Sequence, residues 1–415
     1  MVVWCFVVPE NNMIDFKTFL IEAEEEQKGK ALKHLTHVED HIIHNGNEGV
    51  AIADQHLNDV HNMLLGKNTS SHASVKFDGA PSIVFGQHPQ TGHFFVATKS
   101  AFNKNPKINY SDEDIEKNHG HAPGLVEKLK HALHHLPGIM PKNGGVYQGD
   151  IMHTTGDVTK KNGMHNVTPN TITYSAPADS VEGRNMKKKL GIVVHTQYTG
   201  GKSLESMNAG PLHNSVRSKF REHPDVNNID PTVEVNPNNY TPEEQKQFLT
   251  HMNQAKKSYA TMSPEALDSL KGHEKMLESH INNMIRTEGK PSVDGYMQDI
   301  TNKHKKDVDS VKTQAAKDKK AQAHAANIKH VMDNQDHFKR ALDLHNHLQS
   351  AKNVLVNVMA KNSPYYHSVG GQHTGPEGTV VVDKNGNASK MNNRQEFNRL
   401  NFLKGQFQKQ QDQDA

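Results

Sequence analysis

A single cysteine, Cys5, in 415 residues excludes an internal disulfide and points to a reducing cytoplasm. Net charge is nearly absent too: 48 lysines and arginines stand against 46 acidic residues. The overall basic excess of a strong non-specific nucleic-acid binder is therefore missing, and any polyanion contact must be a local patch. Apolar residues make up 34% of the chain and mean hydropathy is −0.78, so much of the length must be solvated helix or loop rather than packed interior. Long hydrophobic runs are lacking. The apolar opening MVVWCFVV has no charged n-region and is followed by Pro9-Glu10, which fits neither a signal peptide nor a membrane span. A start at Met13 would remove it.

The length allows two or three domains with their own cores. Residues 1–70 read as an N-terminal helical segment: Phe16, Phe19, Leu20 and Ala23 fall at helical spacing, as do Ala51, Ala53, Leu57, Val60, Leu64 and Leu65, with Asn45-Gly46-Asn47 as a break. Residues 71–202 change to short β-type runs with one helical interlude near 125–136. Residues 203–364 are helical again. Thr241-Pro242-Glu243-Glu244 and Ser263-Pro264-Glu265 look like capped helix starts, apolar stripes follow them, and the charged stretch 303–320 reads as one solvated helix. Residues 365–415 return to β structure. The expected class is α+β, with an antiparallel-sheet core divided by a helical insertion.

Thirty histidines raise the question of a metal site. His37, His41 and His44 would share one helical face, but glutamate does not directly follow the first histidine, as a metalloprotease helix requires. A polar helix face is the better account. Histidines also cluster at His131/His134/His135 and His345/His347.

Chemistry is carried instead by two short segments some 300 residues apart. Lys76-Phe77-Asp78-Gly79 follows a short strand, and Ser82–Phe85 and His93–Lys99 behind it are apolar or alternating runs around the turn Pro89-Gln90-Thr91-Gly92. The second segment is Glu377-Gly378-Thr379-Val380-Val381-Val382, then Asn385-Gly386, then Ser389-Lys390. Taking Asn385-Gly386 as a two-residue turn pairs 381 with 390 and 377 with 394. Glu377, Thr379, Val381, Lys390, Asn392 and Arg394 would then share one face. A lysine amine that attacks the α-phosphorus of a nucleoside triphosphate forms a lysine-linked nucleotide and releases pyrophosphate. Deprotonating an ordinary lysine near pH 7 costs about 4 to 5 kcal/mol, so cationic neighbours and partial burial are needed around such a nucleophile. An acid two residues on can bond a sugar hydroxyl, and a glycine lets the backbone turn beside the ligand.

These segments, in this order, resemble the covalent nucleotidyltransferase superfamily of polynucleotide ligases and messenger-RNA capping enzymes, with the look of a phage RNA ligase. The resemblance implies an antiparallel-sheet, ATP-grasp-like ligase core in which Lys76 is the nucleophile, Asp78 and Gly79 complete its motif, and Lys99 lies near the sugar and phosphates. Val146-Tyr147-Gln148-Gly149-Asp150 occupies the place of a Gly-Glu motif, with Asp150 one methylene shorter. The strand 191–196 offers only His195 where the family stacks an aromatic ring on the base. Glu377 matches a metal-binding glutamate and Lys390 a lysine on the α-phosphate. Asn392 replaces a second lysine, with Arg394 as its substitute.

The cofactors so implied are ATP and Mg2+, with Glu377 and Asp150 as metal ligands. The implied partners are nucleic-acid ends, RNA above all, with no membrane, and the inserted helices would dock nucleic acid or a protein. The implied location is the cytoplasm, that of an infected host cell for a phage enzyme. Pro81 stands where DNA ligases commonly carry arginine. The insertion between the third and fourth motifs departs from the family, and little chain remains after the fifth motif for an OB-fold, so a minimal catalytic core is expected. Two alternatives are transfer of guanylyl or adenylyl to a cap-type or protein acceptor, and a decayed, non-enzymatic nucleic-acid-binding or virion-associated protein. The basic run Arg184, Lys187, Lys188 and Lys189 is a candidate phosphate contact, although such runs are more often simply solvated.

Overall fold

A computed structural model describes residues 35–396. Cys5, the apolar opening, the start at Met13 and the stripe Phe16, Phe19, Leu20 and Ala23 lie outside these residues. Within them the chain is α+β, with three sheets whose strands pair antiparallel except for one parallel contact.

Helix α1 (Gly46–Leu64) opens directly after Asn45 and buries Ile52, Ala53, His56, Leu57, Val60 and Leu64, a stripe at three- and four-residue spacing. Ala51 of the expected stripe is exposed, and Ile52 and His56 take its place. Strand β1 (His72–Lys76) follows, then the hairpin β2 (Ser82–Gln87) and β3 (Phe94–Ala97). Helices α2 (Asp112–His119) and α3 (Pro123–His135) lead to β4 (Val146–Thr154), β5 (Thr159–Lys161), β6 (Met164–Val167), β7 (Thr173–Pro177) and β8 (Leu190–Thr199). Two short strands, β9 (Asn208–Pro211) and β10 (Val226–Asn228), also join the β region. The helical part therefore begins near residue 240 rather than at 203.

The largest sheet runs β10-β8-β4-β2-β3, with β9 also on β8. Its inner face packs Ile83, Phe85, Tyr147, Ile151 and Ile192 against Ile115 of α2 and Val126 and Leu129 of α3. After the helices α4 (Pro242–Ala260), α5 (Glu274–Arg286), α6 (Val293–Asp309), α7 (Gln314–Asp333) and α8 (Gln335–Ala360), the chain returns through β11 (Tyr366–Val369), β12 (Gln372–Thr374), β13 (Gly378–Val382) and β14 (Ala388–Met391). Strands β11 and β12 complete a five-stranded sheet, β12-β11-β7-β6-β5, and β13 and β14 join β1 in a third, β1-β13-β14. Two sheets thus unite strands from before and after the helices.

The helices do not form a separate body. Phe248, Leu277, Tyr296, Phe338 and Leu355 share one core with Leu57 and Val60 of α1 and with Val381 and Met391 of the third sheet. Helix α4 starts as expected, Thr241 and Glu244 exchanging hydrogen bonds in a capping box at 3.3 and 3.1 Å. Ser263-Pro264 starts only a turn. Gly272, at φ +83°, breaks the segment in a conformation that favours glycine, and α5 begins beyond it. The charged stretch 303–320 also divides, Thr313 capping α7 through the Ala316 amide at 3.3 Å.

Burial pushes the imidazoles of His41, His153 and His367 down to about 4. Between pH 6.5 and 4 the unfolded chain binds these protons and the native chain does not. Stability is therefore full above the unfolded value of about 6.5 and falls as pH drops, by up to about 1.4 kcal/mol per unit for each histidine. Urea denaturation should show a clearly lower midpoint at pH 5 than at pH 7. Equal midpoints would refute the neutral burial of these rings.

Candidate active site

Strand β1 is paired on one side with β13, Lys76 opposite Gly378 and Ser74 opposite Val380, and β13 pairs with β14, Val380 opposite Lys390. Since side chains alternate along a strand, Ser74, Lys76, Val380 and Lys390 occupy one face. The opposite face, with Thr379, Val381, Ser389 and Met391, is buried.

This register differs by one residue from a two-residue Asn385-Gly386 turn. Asp383 widens the loop: its carboxylate accepts from the amides of Asn385 and Asn387 at 2.8 and 2.9 Å and from Asn387 Nδ2 at 2.9 Å. The expected grouping of Lys390 with Thr379, Val381 and Arg394 is therefore corrected, and Lys390 shares the face of Lys76 instead. Gly378 is required by close approach, since a Cβ there would lie 2.7 Å from Met391 O.

The Lys76 ammonium donates to Glu377 Oε1. Glu377 is 7% exposed and its second oxygen, Oε2, has no partner among the described residues. Burial raises the Glu377 carboxyl, and the Lys76 charge opposes that rise. Burial lowers the Lys390 amine, the neighbouring Lys76 lowers it further, and Glu377 works against both. Asp150 completes the cluster from β4. Burial would raise its carboxyl, but hydrogen bonds from His195 and Ser82 and the charge of Lys76 outweigh this and hold it low. Lys76 thus acts electrically on Glu377, Lys390 and Asp150 together.

His195 reaches Asp150 because of a bulge. Gln148 pairs with Thr196 and Gly149 with Val194, leaving His195 as the extra residue, and such a residue is re-aimed. Its Nε2 lies 3.4 Å from Asp150 Oδ1. Gly79 is needed where β4 crosses, since a Cβ there would lie 2.7 Å from Asp150 Cβ. Gly79 is not in the left-handed region, so close packing, and not a special turn, explains it. Asp78 is anchored. Its carboxylate accepts from Asn170 Nδ2, Thr171 N and Ile172 N at 2.8, 2.7 and 3.0 Å, and its amide donates to the Tyr174 hydroxyl at 2.7 Å. These bonds fasten the loop after Lys76 to the approach to β7.

Two expected members stand apart. Lys99 is exposed at the start of a 3-10 turn beyond β3, at the sheet end that carries Ser82 and Asp150. Arg394 is buried, and its guanidinium donates to Asp40 at 3.0 Å, Glu39 at 3.3 Å and Asn282 at 2.7 Å. Held there, its guanidinium is not offered to the cluster around Lys76. Sequence reading missed Ser82 and Tyr174, for which only their places beside Pro81 and within a β run gave a signal. A cavity of about 800 Å3 opens beside Glu377, between β11-β12 and the end of α8, with Tyr365, His367 and His373 in its walls.

His41 and His44 do not converge on one point. His41 Nε2 bonds Ser389 Oγ at 2.9 Å, while His44 goes to Glu278 at 2.7 Å. Ser389 also bonds His56 Nδ1 at 2.6 Å, and His56 Nε2 lies 3.7 Å from Asp383. This serine-histidine-aspartate chain resembles a hydrolase triad, but Ser389 and His56 are 0% exposed, so no substrate reaches them. It anchors β14 to α1 instead. Among the described residues, Glu39, Asp40 and His345 form a group with metal-ligand spacing, yet Lys352 and Arg394 already neutralise its two acids. Magnesium takes oxygen ligands, and the unpartnered Glu377 Oε2 and the Asp150 carboxylate are a donor set of the right kind. No helix among the described residues is long and apolar enough to cross a membrane.

Residues 32–406 match the family described as "Family of unknown function (DUF6267)", and the chain belongs to that family. No curated protein and no solved structure matches it.

Proposed function

We propose that this DUF6267 member is an ATP-dependent, RNA-ligase-like nucleotidyltransferase with Lys76 as its nucleophile. The observation that carries the reading is the meeting of Lys76 of β1 with Glu377, just ahead of β13, beside Lys390 of β14 and within the field of Asp150 of β4. The Lys76 amine attacks the α-phosphorus, a P–N bond forms, the bond to the β-phosphate oxygen breaks, pyrophosphate leaves and the amine gives up its proton. Lys390 faces the charge that develops on the α-phosphate. Glu377 and Asp150 would hold magnesium, which supplies neutralisation of the phosphates when bound. AMP then passes to a 5′-phosphate, and a 3′-hydroxyl displaces AMP to seal the strand.

A second reading keeps the first step and changes the acceptor to a protein. The cavity beside Glu377 favours it, because Glu182, Glu377 and Glu396 outnumber Lys361 in its walls, a poor lining for a polyanion. Incubation with α-labelled ATP or GTP and magnesium tests the shared chemistry. ATP should leave a covalent label on the chain. The proposal falls if neither nucleotide does, and a label from GTP alone would point to cap-type transfer.

A further inference from the structure

A second cavity, of about 650 Å3, lies at the other edge of the large sheet, around β10. It is lined by Lys188, Arg217 and Arg221, with Asn227, Asn228 and Thr232. Three buried polar atoms of residues in its walls, Arg217 Nε, Asn227 Nδ2 and Asn228 Oδ1, have no hydrogen-bond partner among the described residues, and Asn227 is 6% exposed. Buried polar groups are normally paired, and an orphan costs about 1 to 3 kcal/mol. Three such atoms in side chains that line one cavity leave hydrogen-bonding capacity that a small side-chain rotation would turn toward a polar ligand.

The charges decide its sign. Among the described residues, the Arg217 side chain pairs with Asp230 alone, at 3.7 Å, and that carboxylate is 65% exposed. Lys188 donates to Val226 O at 3.2 Å and Arg221 to Met140 O and Pro137 O at 2.9 and 3.0 Å, so both cations are held by neutral carbonyls and neither forms an ion pair among the described residues. Glu222 and Asp230 are the acids of the lining. Three cations against two acids, with an amide donor among them, suit a phosphate group better than a metal or an amine.

The position links the cavity to the nucleophile. From β10 the chain runs alongside β1, where Val75 N donates to Pro231 O at 2.6 Å and Val233 N to Ala73 O at 3.1 Å. Thr232, in the cavity wall, bridges Ser74, two residues and roughly 7 Å of strand before Lys76. Lys188, singled out by the basic run around it, is here a wall of a built site rather than a solvated charge.

We propose that this cavity binds a backbone phosphate of the acceptor polynucleotide and aligns the strand toward Lys76. The assignment rests on the ligase-like reading for the identity of the strand. Arg217 and Asn227 would donate to phosphate oxygens on rotating toward the cavity, and Lys188 and Arg221 supply field.

The test is fluorescence anisotropy of a short labelled single-stranded RNA with a 5′-phosphate, at low and moderate salt, with wild type and with Arg217→Gln combined with Asn227→Ala. Affinity should drop roughly ten- to a hundredfold, as for loss of a charge-assisted contact. The salt dependence should also flatten by about one phosphate contact. Should the double variant lose its cooperative melt, Lys188→Gln takes its place, with a smaller drop of the same kind expected. Unchanged affinity and salt slope in a folded variant overturn the site. Full displacement of the RNA by pyrophosphate or ATP would overturn it as well, by assigning the cavity to a free nucleotide, and so would equal sensitivity of binding to anionic lipid vesicles. Labelling of the wild-type chain by ATP is read separately. A labelled chain whose RNA binding ignores these substitutions loses this site and keeps the nucleotidyl transfer, whereas an unlabelled chain with sensitive RNA binding loses the transfer and keeps the site.

Discussion

Lys76→Arg should remove the covalent label while leaving the fold in place. Arginine keeps a cation opposite Glu377, so the carboxylate that Lys76 contacts is not left alone in its buried position. Its guanidinium stays protonated above pH 12, however, and has no lone pair to offer the α-phosphorus. Loss of a covalent nucleophile costs on the order of 10^3- to 10^6-fold in rate, so no labelled band should remain. Lys76→Ala should give the same result for a different reason, since it also strands Glu377, and a modest fall in melting temperature should accompany it. Glu377→Gln separates the remaining roles: the side chain keeps its volume and a hydrogen-bonding oxygen but loses its charge, and labelling should fall by about 10- to 100-fold at saturating ATP. A label that is lost in acid but survives alkali and hydroxylamine marks the P–N bond, since a hydroxyl ester survives acid and an acyl phosphate yields to hydroxylamine. A Lys76→Arg chain that labels as well as wild type would place the nucleophile elsewhere.

The parts of this site that were legible in the sequence are those set by local pattern. Lys76 ends one β-type run, three residues before Gly79, and Glu377 stands beside Gly378 at the start of another. What failed was register and burial, which depend on distant residues. The Asn385-Gly386 turn looked like a two-residue hairpin, but Asp383 offers its carboxylate to two amides and makes a wider loop cheaper, which turns every later side chain over. Arg394 was unreadable for the same reason: its partners Glu39 and Asp40 lie at the far end of the chain, and nothing around Arg394 announces them. His195 was legible as a strand residue but not as a bulge. The cavity around Asn227 was invisible, because Lys188, Arg217 and Asn227 belong to no motif and meet only when β10 pairs with β8.

Glu39→Ala should be the most destabilising single change away from the cluster, at about 3 to 5 kcal/mol. Glu39 and Asp40 lie in the 3-10 turn Val38–Asp40, Lys352 and His345 on α8, and Arg394 beyond β14. Lys352 Nζ bonds Glu39 at 2.6 Å and His345 bonds Asp40 at 2.7 Å, while Arg394 reaches both acids. Lys352 is 0% exposed, so water cannot take over from a missing carboxylate. Two acids and two permanent cations balance, and removing one acid leaves a buried charge uncompensated, whereas removing a matched pair does not. Glu39→Met with Lys352→Met should therefore recover most of the loss, because Asp40 and Arg394 still pair. Against a total stability of about 5 to 15 kcal/mol, the single variant should shift a urea midpoint far and the double variant little. A loss below about 1 kcal/mol in Glu39→Ala would mean that the network is not what holds these three segments together. The consequence reaches the site as well: Lys390 N donates to Thr36 O at 2.8 Å, just ahead of the same turn, so loosening the network should free β14 and lower labelling even in the fraction of molecules that stays folded.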